Sequence, residues 1–407
     1  MRIVMAAAEI APYVDTTGLG TDVAALSASL AARGHEVHVV TPLPSPEIAE
    51  AHSLARRLRP IKVSGRDRDR SFVRFDGRTS AGVEVHLLDS AEPNTDHDYD
   101  FWDAFGAAAV EVIDSLGSAG TWCVSWNVEC ASVPVRDREA AETAESHLFV
   151  VHRIDDSDLD RIDQALAAED RALIAGRATA DACRSRGFAA LERMMVRGHA
   201  CSTTTPVAAA GKVHRSDKAS AKAALQATIG LPVRRDVPLV LFGEPPPTAI
   251  TEALKRFLRG DVQAVVPLGG DPSIAGLLER YPDRLAQLPM DDPSSSDLLA
   301  ADGCVVIIDP TLAARAMSHG AIPVTTADAA EGVVDLEPSL SSGSGFIAAD
   351  GTARGLAEAL SRLASSFQSG EPFAGLAERV PSYTTTWSDA AALCEQLIGV
   401  TTDETPS

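Results

Sequence analysis

Residues 1–41 read M-R-I-V-M-A-A-A-E-I-A-P-Y-V-D-T-T-G-L-G-T-D-V-A-A-L-S-A-S-L-A-A-R-G-H-E-V-H-V-V-T. Arg2 to Ala7 is an apolar run without alternation, which predicts a strand buried on both faces. Asp15 to Gly20 carries two glycines and reads as a turn. From Asp22 to Arg33 apolar residues recur at helical spacing, and Gly34 closes the run as glycine closes many helices. Glu36 to Thr41 is a second strand, stopped by Pro42. Strand, helix and strand in this order form a βαβ unit with a parallel crossover.

The alternation continues along the chain. Val83–Leu88, Trp122–Ser125 and Leu148–Val151 predict further buried strands, Phe101–Leu116 a helix, and Asp163–Arg186 an Ala-rich helix. A second series starts near Lys222. Helices over Lys222–Ile229, Ala249–Leu258, Ser273–Arg280, Leu312–Ser318 and Leu356–Ser365 alternate with strands over Pro238–Phe242, Gln263–Leu268, Cys304–Ile308 and Ile322–Thr325. The fold class is therefore α/β, with two doubly wound Rossmann-like domains. The expected division is 1–205, a linker over 206–231, a second domain over 232–386, a final helix over 387–400 and a polar tail over 401–407. Two such domains in sequence place a binding cleft at the carboxyl ends of their strands.

Composition narrows the function classes. The 407 residues fit two or three domains. With 36 Lys and Arg against 57 Asp and Glu, the net charge is −21, which argues against an electrostatic grip on nucleic acid or an anionic membrane. The run R-D-R-D-R over 66–70 interleaves both signs and reads as a solvated loop. Six cysteines show neither a C-x-x-C pair nor zinc-like spacing, so they read as buried thiols of a cytoplasmic protein. No segment reaches the ~18 apolar residues of a membrane span. The apolar start ends at Glu9, too soon for a signal-peptide core.

Several stretches carry a family resemblance. The opening, continuing through A-A-R-G-H-E-V-H-V-V-T-P (31–42), resembles the start of bacterial glycogen and starch synthases. In the same order come A-A-L-Q-A-T-I-G-L-P (223–232), G-G-D-P (269–272), Y-P-D-R-L (281–285), A-M-S-H-G-A-I-P-V-T (316–325), G-S-G-F-I-A-A-D-G (343–351) and T-T-W-S-D-A-A (385–391). These look like the family's second domain and its last helix. The resemblance implies a GT-B fold: two facing Rossmann-like domains, an interdomain cleft and a final helix that returns to the first domain. It also implies glucosyl transfer from ADP- or UDP-glucose to an α-1,4-glucan, with no cofactor and no metal.

The departures bear on activity. Where the family has a lysine in the first β-α turn this chain has Asp15, followed by Thr16, by Thr17 at a family glycine, and by a retained Gly18. The family's H-x-H-D-W stretch falls on Cys123-Val-Ser-Trp-Asn127, and its H-N on His152-Arg153, so His152 is the one retained catalytic candidate. A phosphate-clamping arginine falls on Glu244 in F-G-E-P-P-P (242–247). The stretch that holds paired glutamates falls on Asp309 to Met317, which is shorter and contains no Glu. The T-G-G-L loop falls on Thr326 to Ala330. Asp15, Thr16, Thr17, Gly18, Glu244 and Thr326 are thus the expected remnants of a donor-binding site. A unit charge ~4 Å from a phosphate is worth ~4 kcal/mol at a near-surface dielectric, so each cation-to-anion change turns attraction into repulsion of that order.

Three functions follow as expectations. The first is a catalytically impaired protein with a binding or regulatory role in glucan metabolism, its partner an α-glucan or another protein. The alternatives are an active glycosyltransferase using a nucleotide sugar, and a neutral-sugar-binding protein. Several residues admit two readings. Gly18 and Gly20 permit a tight turn or face a ligand. His152 hydrogen-bonds a sugar or is structural, and Trp126 stacks on a sugar or fills the core. Gly269 to Asp271 is a turn ahead of a helix or part of a site. Asp155, Asp156, Asp158 and Asp160 lack the glycine and glutamate of a calcium loop and read as a solvated acidic face.

Overall fold

A computed structural model describes the chain except for residues 17–18, 65–67, 91–98, 118–119, 141–145, 152–158, 176–178, 180–182, 184, 189–190, 192–193, 195–199, 204–205, 208–212, 245–247, 270, 289–292 and 400–407. It divides into two units, Met1–Thr203 with Trp387–Ser407, and Thr204–Thr386.

The first unit is built on β1 (Arg2–Ala6), α1 (Leu19–Ala32), β2 (Glu36–Pro42), α2 (Pro46–Ala51), β3 (Ala55–Arg56), β4 (Ile61–Ser64), β5 (Asp69–Arg78), β6 (Glu84–Ser90), α3 (Tyr99–Leu116), β7 (Thr121–Trp126), α4 (Ser132–Ala140), β8 (Ser146–Val151), α5 (Leu159–Ala168), β9 (Arg171–Ala175) and β10 (Ala200–Thr203). The sheet runs β10-β9-β8-β7-β1-β2-β6-β5-β3, with β4 pairing β5. From β10 to β6 all pairs are parallel. Helices cover both faces of such a sheet, which is why β1, β7 and β9 carry no exposed residue. Strand order reverses between β1 and β7, so their carboxyl ends flank the switch point at which such sheets bind ligands.

The second unit comprises α6 (Arg215–Thr228), β11 (Leu239–Phe242), α7 (Thr248–Phe257), β12 (Gln263–Pro267), α8 (Ile274–Arg280), β13 (Leu285–Leu288), α9 (Ser295–Ala300), β14 (Gly303–Val306), α10 (Pro310–Ser318), β15 (Ile322–Thr325), β16 (Phe346–Ile347), α11 (Ala353–Phe367) and α12 (Glu371–Arg379). Its parallel sheet runs β13-β12-β11-β14-β15-β16. The chain ends with α13 (Trp387–Gly399), which joins the core of the first unit through Trp387, Ala390, Ala391, Cys394, Leu397 and Ile398. Its Glu395 holds Arg33 at 2.5 Å and His35 at 2.8 Å, and the Arg33 and His35 hydrogen bonds draw the Glu395 carboxyl down to about 2.

Four expectations need correction. The helix over 163–186 contains β9, because Arg-Ala-Leu-Ile-Ala at 171–175 lies fully inside the sheet while the same residue types are common in helices. Arg70 is not in a solvated loop: it sits in β5, 4% exposed, and donates from Nε to Asp100 at 3.1 Å beneath a cation–π contact with Phe101. The expected linker over 206–231 holds α6, whose Lys218, Lys222, Leu225 and Gln226 are buried. The antiparallel β3, β4 and β5 extend the first sheet where no strand is expected. Five cysteines, Cys123, Cys130, Cys183, Cys304 and Cys394, are free thiols and buried. No described helix is long and apolar enough to cross a membrane.

Candidate functional site

In the first unit the candidate site is the loop from the end of β1 to the first turn of α1. Glu9 follows the strand and is buried. Its carboxylate accepts from the backbone N–H of Thr16 at 3.1 Å and from the Thr16 hydroxyl. Asp15 turns its carboxylate onto the start of α1, accepting from the Thr21 N–H at 3.3 Å and from the Thr21 hydroxyl. A carboxylate is favoured there because the first turn of a helix presents unpaired N–H groups and a partial positive charge. Gly20 serves packing. A Cβ on it would lie 2.2 Å from the Val14 carbonyl oxygen, and the Gly20 carbonyl accepts from the Ala11 N–H at 2.9 Å. The turn reading of Gly20 thus has its physical cause in this close approach. Thr17, Gly18 and His152 lie outside the described residues.

In the second unit the corresponding residues come together at the carboxyl ends of three neighbouring strands. Glu244 follows β11, Ile307 to Asp309 follow β14, and Thr326 follows β15. The Glu244 carboxylate accepts from two successive backbone N–H groups, Ile308 at 3.1 Å and Asp309 at 2.8 Å. Asp309 is itself the N-cap of α10, accepting from the Thr311 N–H at 2.8 Å. Two carboxylates therefore occupy the amides at the entrance to this helix, a place suited to a phosphate. Thr326 is buried and donates from its hydroxyl to the Ile307 carbonyl at 3.5 Å. Arg315, the cation of α10, donates to the Pro293 carbonyl at 2.8 Å.

Glu9 and Asp309 act in these loops without having been singled out from sequence. Asp309 had a signal, since Asp before Pro is a helix-start pattern. Glu9 had none beyond ending an apolar run. Trp126 fills the core of the first unit and has no exposed surface. Gly269 takes a positive φ of 99°, and Asp271 accepts from the Ser273 N–H at 2.8 Å, which is the turn ahead of α8. Of the acidic run, Asp160 lies in the first turn of α5, while Asp155, Asp156 and Asp158 fall outside the described residues. No group of three or more His, Cys, Asp or Glu suited to a metal occurs among the described residues.

Residues 2–130 match the family model described as the starch synthase catalytic domain. A glycogen synthase of Anaeromyxobacter dehalogenans is 29% identical over 44% of this chain and 41% of its own length. A glycogen synthase of Streptococcus equi subsp. equi is 24% identical over 80% of this chain and 83% of its own length. Of the Arabidopsis thaliana starch synthase 2 the chain spans 11%, at 42% identity. In structure, the catalytic domain of starch synthase IV from Arabidopsis thaliana, solved with ADP and acarbose, superposes with a TM-score of 0.76 at 18% identity, covering 98% of this chain and 99% of that one. An α,α-trehalose-phosphate synthase (UDP-forming) from Burkholderia vietnamiensis gives 0.55 at 13% identity, covering 98% and 100%. The shared fold is that of the GT-B glycosyltransferases.

Proposed function

This chain being a glycogen- and starch-synthase-like protein of the GT-B fold, we propose that it is catalytically impaired and serves a binding or regulatory role on an α-glucan. The observation that carries this reading is the Glu244 carboxylate on the amides of Ile308 and Asp309. It stands where the family resemblance calls for a phosphate-clamping arginine. An arriving diphosphate meets an anion, and the amides that would receive it are already engaged. One such charge at ~4 Å opposes binding by ~4 kcal/mol at a near-surface dielectric, about a thousandfold in affinity. Asp15 on the first turn of α1 supports the same reading in the other unit. Glycosyl transfer needs positive charge or free donors around the departing diphosphate, and these loops offer carboxylates.

Calorimetric titration with ADP-glucose, UDP-glucose and, separately, maltoheptaose tests it. We expect no donor binding tighter than millimolar, and saturable binding of maltoheptaose. Micromolar binding of either donor would overturn the reading and favour an active transferase, a second reading supported by the likeness to starch synthase IV, whose structure holds ADP and acarbose.

A further inference from the structure

A groove of about 610 Å³ opens in the first unit where the end of α4 meets the end of α5. Both helices end just before the first residues of β8 and β9, so the groove lies at the amino edge of the sheet, away from the loop of Glu9 and Asp15. Its polar lining is Arg138, Glu139, Glu169 and Asp170. Arg138 and Asp170 satisfy each other: Nη2 donates to Oδ2 at 2.7 Å, Nε donates to the Ala168 carbonyl at 3.1 Å, and Asp170 also accepts from the His147 N–H at 3.0 Å.

Glu169 is different. It is 8% exposed, and both carboxylate oxygens are shielded from solvent with no hydrogen-bond donor among the described residues. Behind it Asp137 and His147, both fully buried, share one bond of 2.6 Å between Oδ2 and Nε2, which leaves Asp137 Oδ1 and His147 Nδ1 without partners. With the Nε2 proton given to Asp137, Nδ1 is a lone pair. Counting Glu169 as ionised, the cluster then holds four acceptor atoms that no donor reaches among the described residues. Cys123, in register with His147 on the neighbouring strand, adds a thiol pushed up by burial and by the fields of Glu169 and Asp137. A buried acceptor left without a donor is costly. What these atoms lack is N–H donors, since the guanidinium of Arg138 is taken up by Asp170 and the Ala168 carbonyl. A metal ion does not fit, since no three ligating side chains converge among the described residues.

We propose that this groove binds a small organic cation rich in N–H donors, an alkylammonium or guanidinium compound, with Glu169 as its counter-charge. An ammonium offers three donors and a guanidinium five. Docking requires the Glu169 side chain to turn its carboxylate from beneath the groove floor onto it. Burial, reinforced by Asp170 and Asp137 and opposed by Arg138, holds the Glu169 carboxyl far above the ordinary range. Burial thus favours the carboxylic acid over the carboxylate in the empty groove, and any proton it holds passes to the buffer as the cation docks. The proposal is independent of the glucan reading.

The test is calorimetry of the full chain at pH 7.5 in about 0.15 M salt, which screens diffuse attraction to an acidic surface. The probes are 1,4-diaminobutane and argininamide, with tetramethylammonium as a cation that lacks N–H donors. Each is titrated in two buffers of different ionisation enthalpy. The expected result is saturable binding of the diamine or the guanidinium compound with net proton release, and none of tetramethylammonium. Glu169→Gln keeps the shape, and its fold is checked by thermal melting. It should weaken binding about tenfold or more and abolish proton release, as loss of a charged hydrogen bond does. No saturable binding of either probe, equal binding of tetramethylammonium, or unchanged binding by the Glu169→Gln variant would overturn the proposal. The two arms separate ammonium from guanidinium recognition.

Discussion

Lys222 and Glu169 are both buried ionisable side chains, one in each unit, and their surroundings are opposite. The Lys222 ammonium donates to Asp302 and to the Val237 carbonyl, each at 2.6 Å, and lies 4.8 Å from the Phe367 ring. Asp302 in turn accepts from the Leu239 N–H at 2.9 Å. Glu169 has charged neighbours but no donor among the described residues. A buried charge with every hydrogen-bonding position matched is tolerated, whereas one without donors is costly until it is neutralised. The second unit has completed its buried polar cluster; the first has left one open.

Breaking the completed cluster should have the largest effect. Asp302→Ala strands the ammonium of Lys222 and should destabilise the second unit by about 3–5 kcal/mol, read by urea unfolding. Closing the open cluster should do the reverse. Glu169→Gln removes a carboxyl whose folded value is raised, so the wild-type penalty exists only above the unfolded value of 4.5. The variant should melt roughly 2–4 °C higher at pH 7, and the two proteins should converge near pH 4. A wild type equally stable across that range would show that Glu169 finds a donor in solution.

Lys218 gives a pH test within the second unit. Burial lowers it to about 8 from 10.5, although its ammonium donates to the Leu299 carbonyl at 3.2 Å. Between those values the unfolded chain binds more protons than the folded one, so stability should rise as pH climbs from 8 to 10.5. Lys218→Met should flatten that rise in melting curves. The smallest effect belongs to the exposed pairing. Glu244→Ala returns two amides to water and should cost about 1 kcal/mol in urea unfolding.

These pairings show what a sequence can and cannot carry. The parallel cores of both units are legible because runs such as Ile3 to Ala6 and Val240 to Phe242 are apolar throughout and closed by turns or prolines. The stretch from Ala55 to Arg78 is not, because its strands mix exposed charges with few buried residues, and β3 and β4 are fixed only by antiparallel pairing to β5. β9 is hidden because alanine and leucine favour helices when read locally, while sheet neighbours decide the outcome here. At the candidate site the reversed charges of Asp15 and Glu244 are readable from the residues alone. Their partners are not, since both bind backbone amides, and every residue has one.

The return of α13 to the first unit has a consequence for synthesis. Met1–Thr203 leave the ribosome before the second unit, yet the core they build stays open along α1 until Trp387 to Ile398 arrive. The whole second unit must be translated in between, roughly 10 to 40 s at common elongation rates. During that interval the side of α1 that α13 covers, and Arg171, whose Nε donates to the Leu397 carbonyl at 3.2 Å, await their partners. The first unit is thus begun first and completed last, and a nascent chain halted anywhere before Trp387 presents an unfinished apolar surface to the cell's chaperones and proteases.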